Sequence, residues 1–154
     1  MKSRYVVAAL LAACGSDPPT PSVIPADYAT TFTKVRPCLP SIEHGPRNVV
    51  VFASPDAVTT YQTLTGDYPD GAMLVKEEYA SSDQSCAGSI LRWTASQKLA
   101  AGSSTATLDW HWQELDAHKA VKTDDDQSCI TCHTNCVPGG SEGGYRYTCS
   151  APGQ

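Results

Sequence analysis

Pro69-Asp70-Gly71-Ala72-Met73-Leu74-Val75-Lys76-Glu77 indicates a turn followed by a β-strand more clearly than any other segment of the chain. The Pro-Asp-Gly triplet is typical of a turn, and the apolar run after it predicts a β-strand. Other apolar, β-branched or aromatic runs follow the same pattern, separated by connections rich in Ser, Asp, Gly and Ala. The predicted strands are Asn48 to Ala53, Gly71 to Tyr79, Gly88 to Thr94 and Asp109 to Leu115. Together they indicate a mainly antiparallel sheet.

One helix is predicted directly after the first of these strands. Ser54 is a plausible N-cap, Pro55 suits the first helical position, and Gly66 ends the run. Its apolar residues recur at helical spacing, so the helix is expected to cover one face of the sheet. With 154 residues the chain has room for one domain of common size. The sequence therefore predicts an α+β fold, a mainly antiparallel sheet with flanking helices.

The segment Cys129-Ile130-Thr131-Cys132-His133 carries the clearest chemical signal. Two thiols at this spacing, followed by histidine, are typical of covalent attachment of haem c, with the imidazole of His133 as an axial ligand of the iron. We therefore expect one covalently bound haem per chain. A small zinc site made of these three ligand residues and Cys136 is an alternative. Haem is favoured, because unoccupied thiolates would be oxidised outside the cytoplasm.

The N-terminus indicates export. Lys2 and Arg4 precede an apolar run, Tyr5 to Ala13, that is too short to span a bilayer but suits a signal peptide. The run ends in Leu-Ala-Ala-Cys, which resembles a bacterial lipobox with Cys14 as the lipidated first residue of the mature chain. Ordinary cleavage after the alanines is the alternative. The expected location is the periplasmic side of a membrane, held there by the lipid.

Seven cysteines fit an oxidising compartment. One goes to lipid and two go to haem, which leaves Cys38, Cys86, Cys136 and Cys149 for two disulfides in any of three connectivities. A bridge between Cys136 and Cys149 is favoured, because the glycine-rich segment between them can close as a loop. Cys38 would then pair with Cys86.

These signals divide the chain into a signal peptide (1–13), a lipidated cysteine with a Pro-rich tether (14–40), a haem domain (41–136) and a disulfide-closed tail (137–154). The formal net charge of −5 argues against nucleic acid or anionic lipid as a partner. Contact with the membrane is therefore expected through the lipid anchor only.

The order of these motifs resembles the cytochrome P-460 family. The resemblance runs from Asn48 to His133 and rests on Ser54–Ala57 at a helix start, the stretch Pro69–Glu77, a tryptophan-bearing strand and the late haem motif. It implies an antiparallel sheet with flanking helices, often a homodimer, and a haem whose distal side is open. Cytochrome P-460 itself oxidises hydroxylamine with nitric oxide chemistry. Relatives called cytochromes c′-β bind nitric oxide or carbon monoxide without known turnover.

The resemblance also implies roles for three residues. Lys76 matches the lysine that forms an additional covalent bond to the porphyrin. Thr94 stands where the family places a distal glutamate, so a carboxylate is expected to be missing there. Arg47 is the nearest match to a distal arginine. Because strand side chains alternate, Lys76 should share the haem face with Leu74.

A second axial ligand would give a different protein, a six-coordinate electron carrier with no site for a substrate. Met73 is a candidate thioether, although it should point away from the face that carries Lys76. His44, His111 and His118 are candidate imidazoles. With an open site, the expected ligand is hydroxylamine or a small nitrogen oxide, and electrons pass to a partner that the sequence does not name.

Overall fold

A six-stranded antiparallel sheet forms the body of the structure, a computed structural model that describes residues 18–41 and 44–149. Three short helices flank the sheet, so the fold is α+β as expected. The strands are β1 (Thr33–Ser41), β2 (Arg47–Ala53), β3 (Met73–Ala80), β4 (Arg92–Lys98), β5 (Trp110–Asp116) and β6 (Val121–Asp124). The helices are α1 (Tyr28–Thr31), α2 (Val58–Thr63) and α3 (Gln127–His133), and a 3₁₀ turn spans Thr105–Thr107.

Each strand pairs with the next strand along the chain, so the sheet is a meander from β1 to β6. The register aligns Val51 with Lys76, Lys76 with Thr94, and Thr94 with Glu114. Residues opposite each other on neighbouring strands project to the same face of a sheet. These four side chains therefore form one row across β2 to β5.

The two faces of the sheet carry separate apolar clusters. One face holds Met73, Val75 and Trp93, with Tyr28 of α1 packed against them. The other face holds Leu74, Trp110 and Trp112, where Val58 and Tyr61 of α2 and Ile130 of α3 are packed. The helix predicted after the first strand thus covers a sheet face, and it shares that face with the haem motif.

Two predicted boundaries are wrong. The helix begins at Val58 and not at Pro55. The Ser54 hydroxyl accepts a hydrogen bond from the Met73 amide of β3 (2.8 Å) and therefore does not cap the helix. The strand predicted from Gly88 begins at Arg92. The preceding residues form a loop in which the Asp83 carboxylate accepts the Gly88 amide (2.8 Å).

β1 was missed, and it changes the domain boundary. All but its last residue lies in the segment 14–40 that was assigned to the tether, although it pairs with β2 along its length. Tyr28, still earlier in the chain, is only 3% exposed. The boundary at residue 40 is therefore wrong, because the folded domain begins before β1. Pro37 and Pro40 concealed this strand, since proline is tolerated in a strand at the edge of a sheet.

The signal peptide (1–13) and the lipidation site Cys14 lie outside the described residues. Within residues 18–41 and 44–149, no helix has both the length and the apolar character needed to cross a membrane.

Both disulfides follow the favoured pairing. Cys38 is joined to Cys86 with a Cα–Cα distance of 5.6 Å, and Cys136 to Cys149 with a Cα–Cα distance of 4.8 Å. Among the described cysteines only Cys129 and Cys132 are free thiols. The two thiols that were predicted to bind haem are thus the two that are not in disulfides.

Candidate haem site

A cavity of about 600 Å³ lies between the sheet and α3. Its volume is within the range of about 300–1,000 Å³ that is common for ligand and cofactor pockets. Cys129, Cys132 and His133 line one side, and Lys76 and Thr94 of the sheet line the other. Lys76 and His133, which are 57 positions apart in sequence, therefore share one pocket with the predicted attachment cysteines.

Helix α3 places the three motif residues. Asp126 caps its N-terminus by accepting the Ser128 amide (2.8 Å). Side chains at positions i, i+3 and i+4 share one face of a helix, so Cys129, Cys132 and His133 project together. Ile130 points the other way and is 6% exposed in the apolar cluster. The helix is thereby fixed with its cysteine and histidine face towards the cavity.

His133 has one ring nitrogen occupied and one available. Its Nδ1 lies 2.6 Å from the Tyr147 carbonyl oxygen, so Nδ1–H donates and the lone pair of Nε2 remains for a metal. Burial, and then the positive charge of Lys76, lower the pKa of His133 to about 3. The imidazole is therefore neutral, as metal ligation requires. The Trp112 ring packs 4.3 Å from the imidazole, measured between centroids.

Lys76 is half-buried on the opposite side of the cavity, on the same face as Leu74 as predicted. Its Nζ lies 2.6 Å from His44 Nε2. Burial lowers the pKa of Lys76 to about 8, although the negative charge of Glu78 acts against this shift. About a tenth of this amine is thus neutral at pH 7, far more than of an ordinary surface lysine.

Glu78 anchors the polar groups behind Lys76. Its side chain is fully buried, with Arg92 Nε 2.5 Å from Oε2 and His44 Nδ1 3.2 Å from Oε1. Burial alone would raise the pKa of Glu78, but hydrogen bonds from His44 and Arg92 lower it below its usual range. The neighbouring Lys76 charge and then burial lower the pKa of His44. Glu78, His44 and Lys76 therefore form a chain from carboxylate to imidazole to amine.

Arg47 does not lie where a distal arginine is expected, beside the cavity. It does not line the cavity; its Nε lies 3.4 Å from Glu78 Oε2. The assignment of Arg47 as the distal arginine therefore finds no support in the lining of the cavity. Arg36 of β1 lines the cavity, with Nη2 donating to the Pro40 carbonyl (3.0 Å) and Nε buried without a hydrogen-bond partner. Sequence reasoning missed Arg36 because its strand was taken for the tether.

Thr94 lines the cavity at the position where no carboxylate was expected, and a neighbouring strand supplies a carboxylate to the same cavity. Glu114, the cross-strand partner of Thr94 on β5, lines the same cavity. Its Oε2 accepts a hydrogen bond from Arg92 Nη1 (2.9 Å), and its side chain remains 29% exposed. A carboxylate is thus available one strand further along the sheet.

Three of the four candidates for a second axial ligand do not reach the cavity. Met73 is buried in the apolar cluster on the other face of the sheet, so the electron carrier based on Met73 is wrong. His111 pairs with Asp124 (2.6 Å), and His118 is exposed. Only His44 of this set lines the cavity, where its ring contacts Lys76 and Glu78.

The donor set fits haem and not zinc. Cys136 cannot be a zinc ligand because it is joined to Cys149, which rules out the predicted four-ligand zinc site. The cavity offers two free thiols and a neutral imidazole, together with the apolar walls that a porphyrin needs from Val51, Leu74 and Trp112.

Comparison with known proteins agrees with this chemistry. Residues 25–138 match the family model described as cytochrome P-460, which includes every element from α1 to α3. No curated protein matches the chain significantly. The match covers most of the chain and implies a haem cofactor.

Proposed function

The chain belongs to the cytochrome P-460 family, and from that premise we propose that it oxidises hydroxylamine at a covalently bound haem with an open distal side. One observation supports the proposal above all others. A single cavity brings the Cys-x-x-Cys-His motif of α3 against Lys76 and Glu114 of the sheet.

The haem would be held from α3. Cys129 and Cys132 would form the two thioether bonds, and His133 Nε2 would bind the iron. One motif of this kind in the sequence gives one haem per chain. The haem would supply a redox-active iron that exchanges electrons with a small substrate.

Lys76 is the proposed third attachment point: its Nζ would replace a hydrogen of the porphyrin, with two electrons passing to an external oxidant such as a peroxide and two protons released. A nucleophilic amine must be neutral, and burial brings the pKa of Lys76 down to about 8. His44 Nε2, 2.6 Å away, is placed to accept the proton that the ammonium loses. Glu78 holds the other nitrogen of His44, which keeps the ring oriented towards the amine.

Glu114 is the proposed proton acceptor for the substrate. Hydroxylamine must lose protons as it is oxidised, and a carboxylate is a far stronger base than the Thr94 hydroxyl. Glu114 lines the cavity and retains 29% exposure, which gives it a route for passing protons to solvent. Arg92 orients it through one carboxylate oxygen.

We further propose that the chain is exported and held at the periplasmic side of a membrane by lipid on Cys14. The two disulfides among the described residues are consistent with an oxidising compartment. We also propose that the chain forms the homodimer that the family resemblance implies.

The test is hydroxylamine-dependent reduction of a one-electron acceptor by purified holoprotein. Glu114→Gln should lower turnover on the order of 100-fold, as is typical for loss of a general base. Asp70→Asn removes an exposed loop carboxylate and should leave turnover unchanged. Equal turnover in Glu114→Gln and wild type would remove Glu114 from the mechanism. Nitric oxide binding without any hydroxylamine turnover in the wild type would instead identify a gas-binding protein.

A further inference from the structure

The last described segment, residues 137–149, covers the cavity beside α3. We call it the proximal tail. The family match ends at residue 138, so nearly all of this segment lies beyond the common domain. Thr148 and Cys149 nevertheless line the haem cavity, and Thr148 is 3% exposed. The tail is therefore an integral part of the site.

Both polar backbone groups of Tyr147 are hydrogen-bonded, one to the last residue of α3 and one to the segment that follows α3. The carbonyl oxygen accepts from His133 Nδ1 (2.6 Å), and the amide donates to the Cys136 carbonyl (2.9 Å). Cys149, two residues later, is joined to Cys136 by the disulfide. The disulfide thus closes a loop of residues 136–149. This loop contains the Tyr147 carbonyl, which is the hydrogen-bond acceptor of His133.

The tail is also fixed to the connection between α2 and β3. The Tyr145 hydroxyl donates to the Gly66 carbonyl (2.7 Å), and Arg146 forms an ion pair with Asp67 (2.7 Å). These contacts flank Tyr147 on its N-terminal side, while the disulfide holds it on the C-terminal side. Its carbonyl therefore has little freedom to turn away from His133.

The backbone around Tyr147 is strained. Arg146 and Tyr147 have φ values of 50° and 66°, in the left-handed region that residues other than glycine seldom occupy. Such strain persists only where the surrounding structure over-determines it, and it clusters at functional sites. Gly144 makes the turn possible, because a Cβ there would lie 2.3 Å from the Thr148 carbonyl oxygen.

We propose that the proximal tail, closed by Cys136–Cys149, is a clamp that positions His133 and sets the strength of its bond to the haem iron. The inference rests on the proposed haem attachment. A hydrogen-bond acceptor on the second nitrogen of a ligating histidine fixes its tautomer and orientation and makes it a stronger ligand. Opening the tail removes the acceptor while every residue that binds haem stays in place.

The test compares two double variants of the holoprotein. Cys136→Ser with Cys149→Ser opens the proximal tail, and Cys38→Ser with Cys86→Ser removes the disulfide on the other face of the sheet. The first variant should shift the iron–imidazole stretching band of the ferrous protein to lower frequency. Its haem reduction potential should rise, because a weaker ligand stabilises the ferric state less. The second variant should keep the wild-type band and potential.

Single substitutions make the test independent of the cysteines. Gly144→Ala keeps the disulfide but forces the turn apart, and should produce the same shift in both measurements. Tyr147→Phe keeps the carbonyl and should behave as wild type. An unchanged band and potential in both tail-opening variants would overturn the inference, as would equal shifts in the control double variant. A wild-type protein without haem would refute the proposed function itself, and measuring haem content first separates the two failures.

Discussion

Glu78→Gln removes the one buried carboxylate that holds Arg92, Arg47 and His44 together behind Lys76. Breaking a buried ion pair from one side costs about 3–5 kcal/mol, because the remaining charge is left uncompensated. Here the arginine side chains are 24% and 30% exposed, and Arg92 keeps its ion pair with Glu114. We therefore expect a loss at the low end of this range, about 3 kcal/mol in the free energy of unfolding at pH 7.

The assay is urea unfolding of Glu78→Gln and wild-type holoprotein at several pH values, with Asp70→Asn as the control. The folded-state pKa of Glu78 is lowered, so its contribution is fully present above its unfolded pKa near 4.5. That contribution is lost as the pH falls through the lower folded-state pKa. The difference in the free energy of unfolding between variant and wild type should therefore shrink as the pH falls below about 4.5. Equal stabilities at pH 7 would refute the structural role of Glu78.

Three further predictions concern attachment and export. Lys76→Ala should abolish the additional haem bond while leaving the thioethers intact; a wild-type Lys76 peptide recovered free of haem by mass spectrometry would reject that bond. His44→Gln should reduce the fraction of Lys76 bonded to haem at neutral pH and recover at higher pH, because His44 accepts the proton of the amine; equal fractions at every pH would exclude this role. Cys14→Ser should release the protein from membranes on fractionation, and a variant still wholly membrane-bound would contradict lipidation.

The features that the sequence predicted correctly depend on local spacing. Strand alternation alone placed Lys76 with Leu74 and turned Met73 to the other face, as the structure has them. The three ligand residues of the haem motif lie within one short helix, so their place on one helix face followed from their spacing alone. The disulfide pairing followed from a short glycine-rich loop that could close on itself.

The features that were missed depend on tertiary structure. Glu114 reaches the cavity because β5 pairs with β4 in a register that no local pattern encodes. Arg36 was hidden by prolines that an edge strand tolerates. The contact between Tyr147 and His133 uses a backbone carbonyl, which every residue carries and no sequence pattern marks.

Mass analysis of denatured, proteolysed holoprotein shows whether haem is bound covalently to this chain. We expect one haem on the peptide that contains Cys129 and Cys132, with neither thiol open to alkylation, and a second peptide joined to the same haem through Lys76. Haem that separates freely from the denatured chain, together with two alkylated thiols in the motif, would contradict covalent attachment.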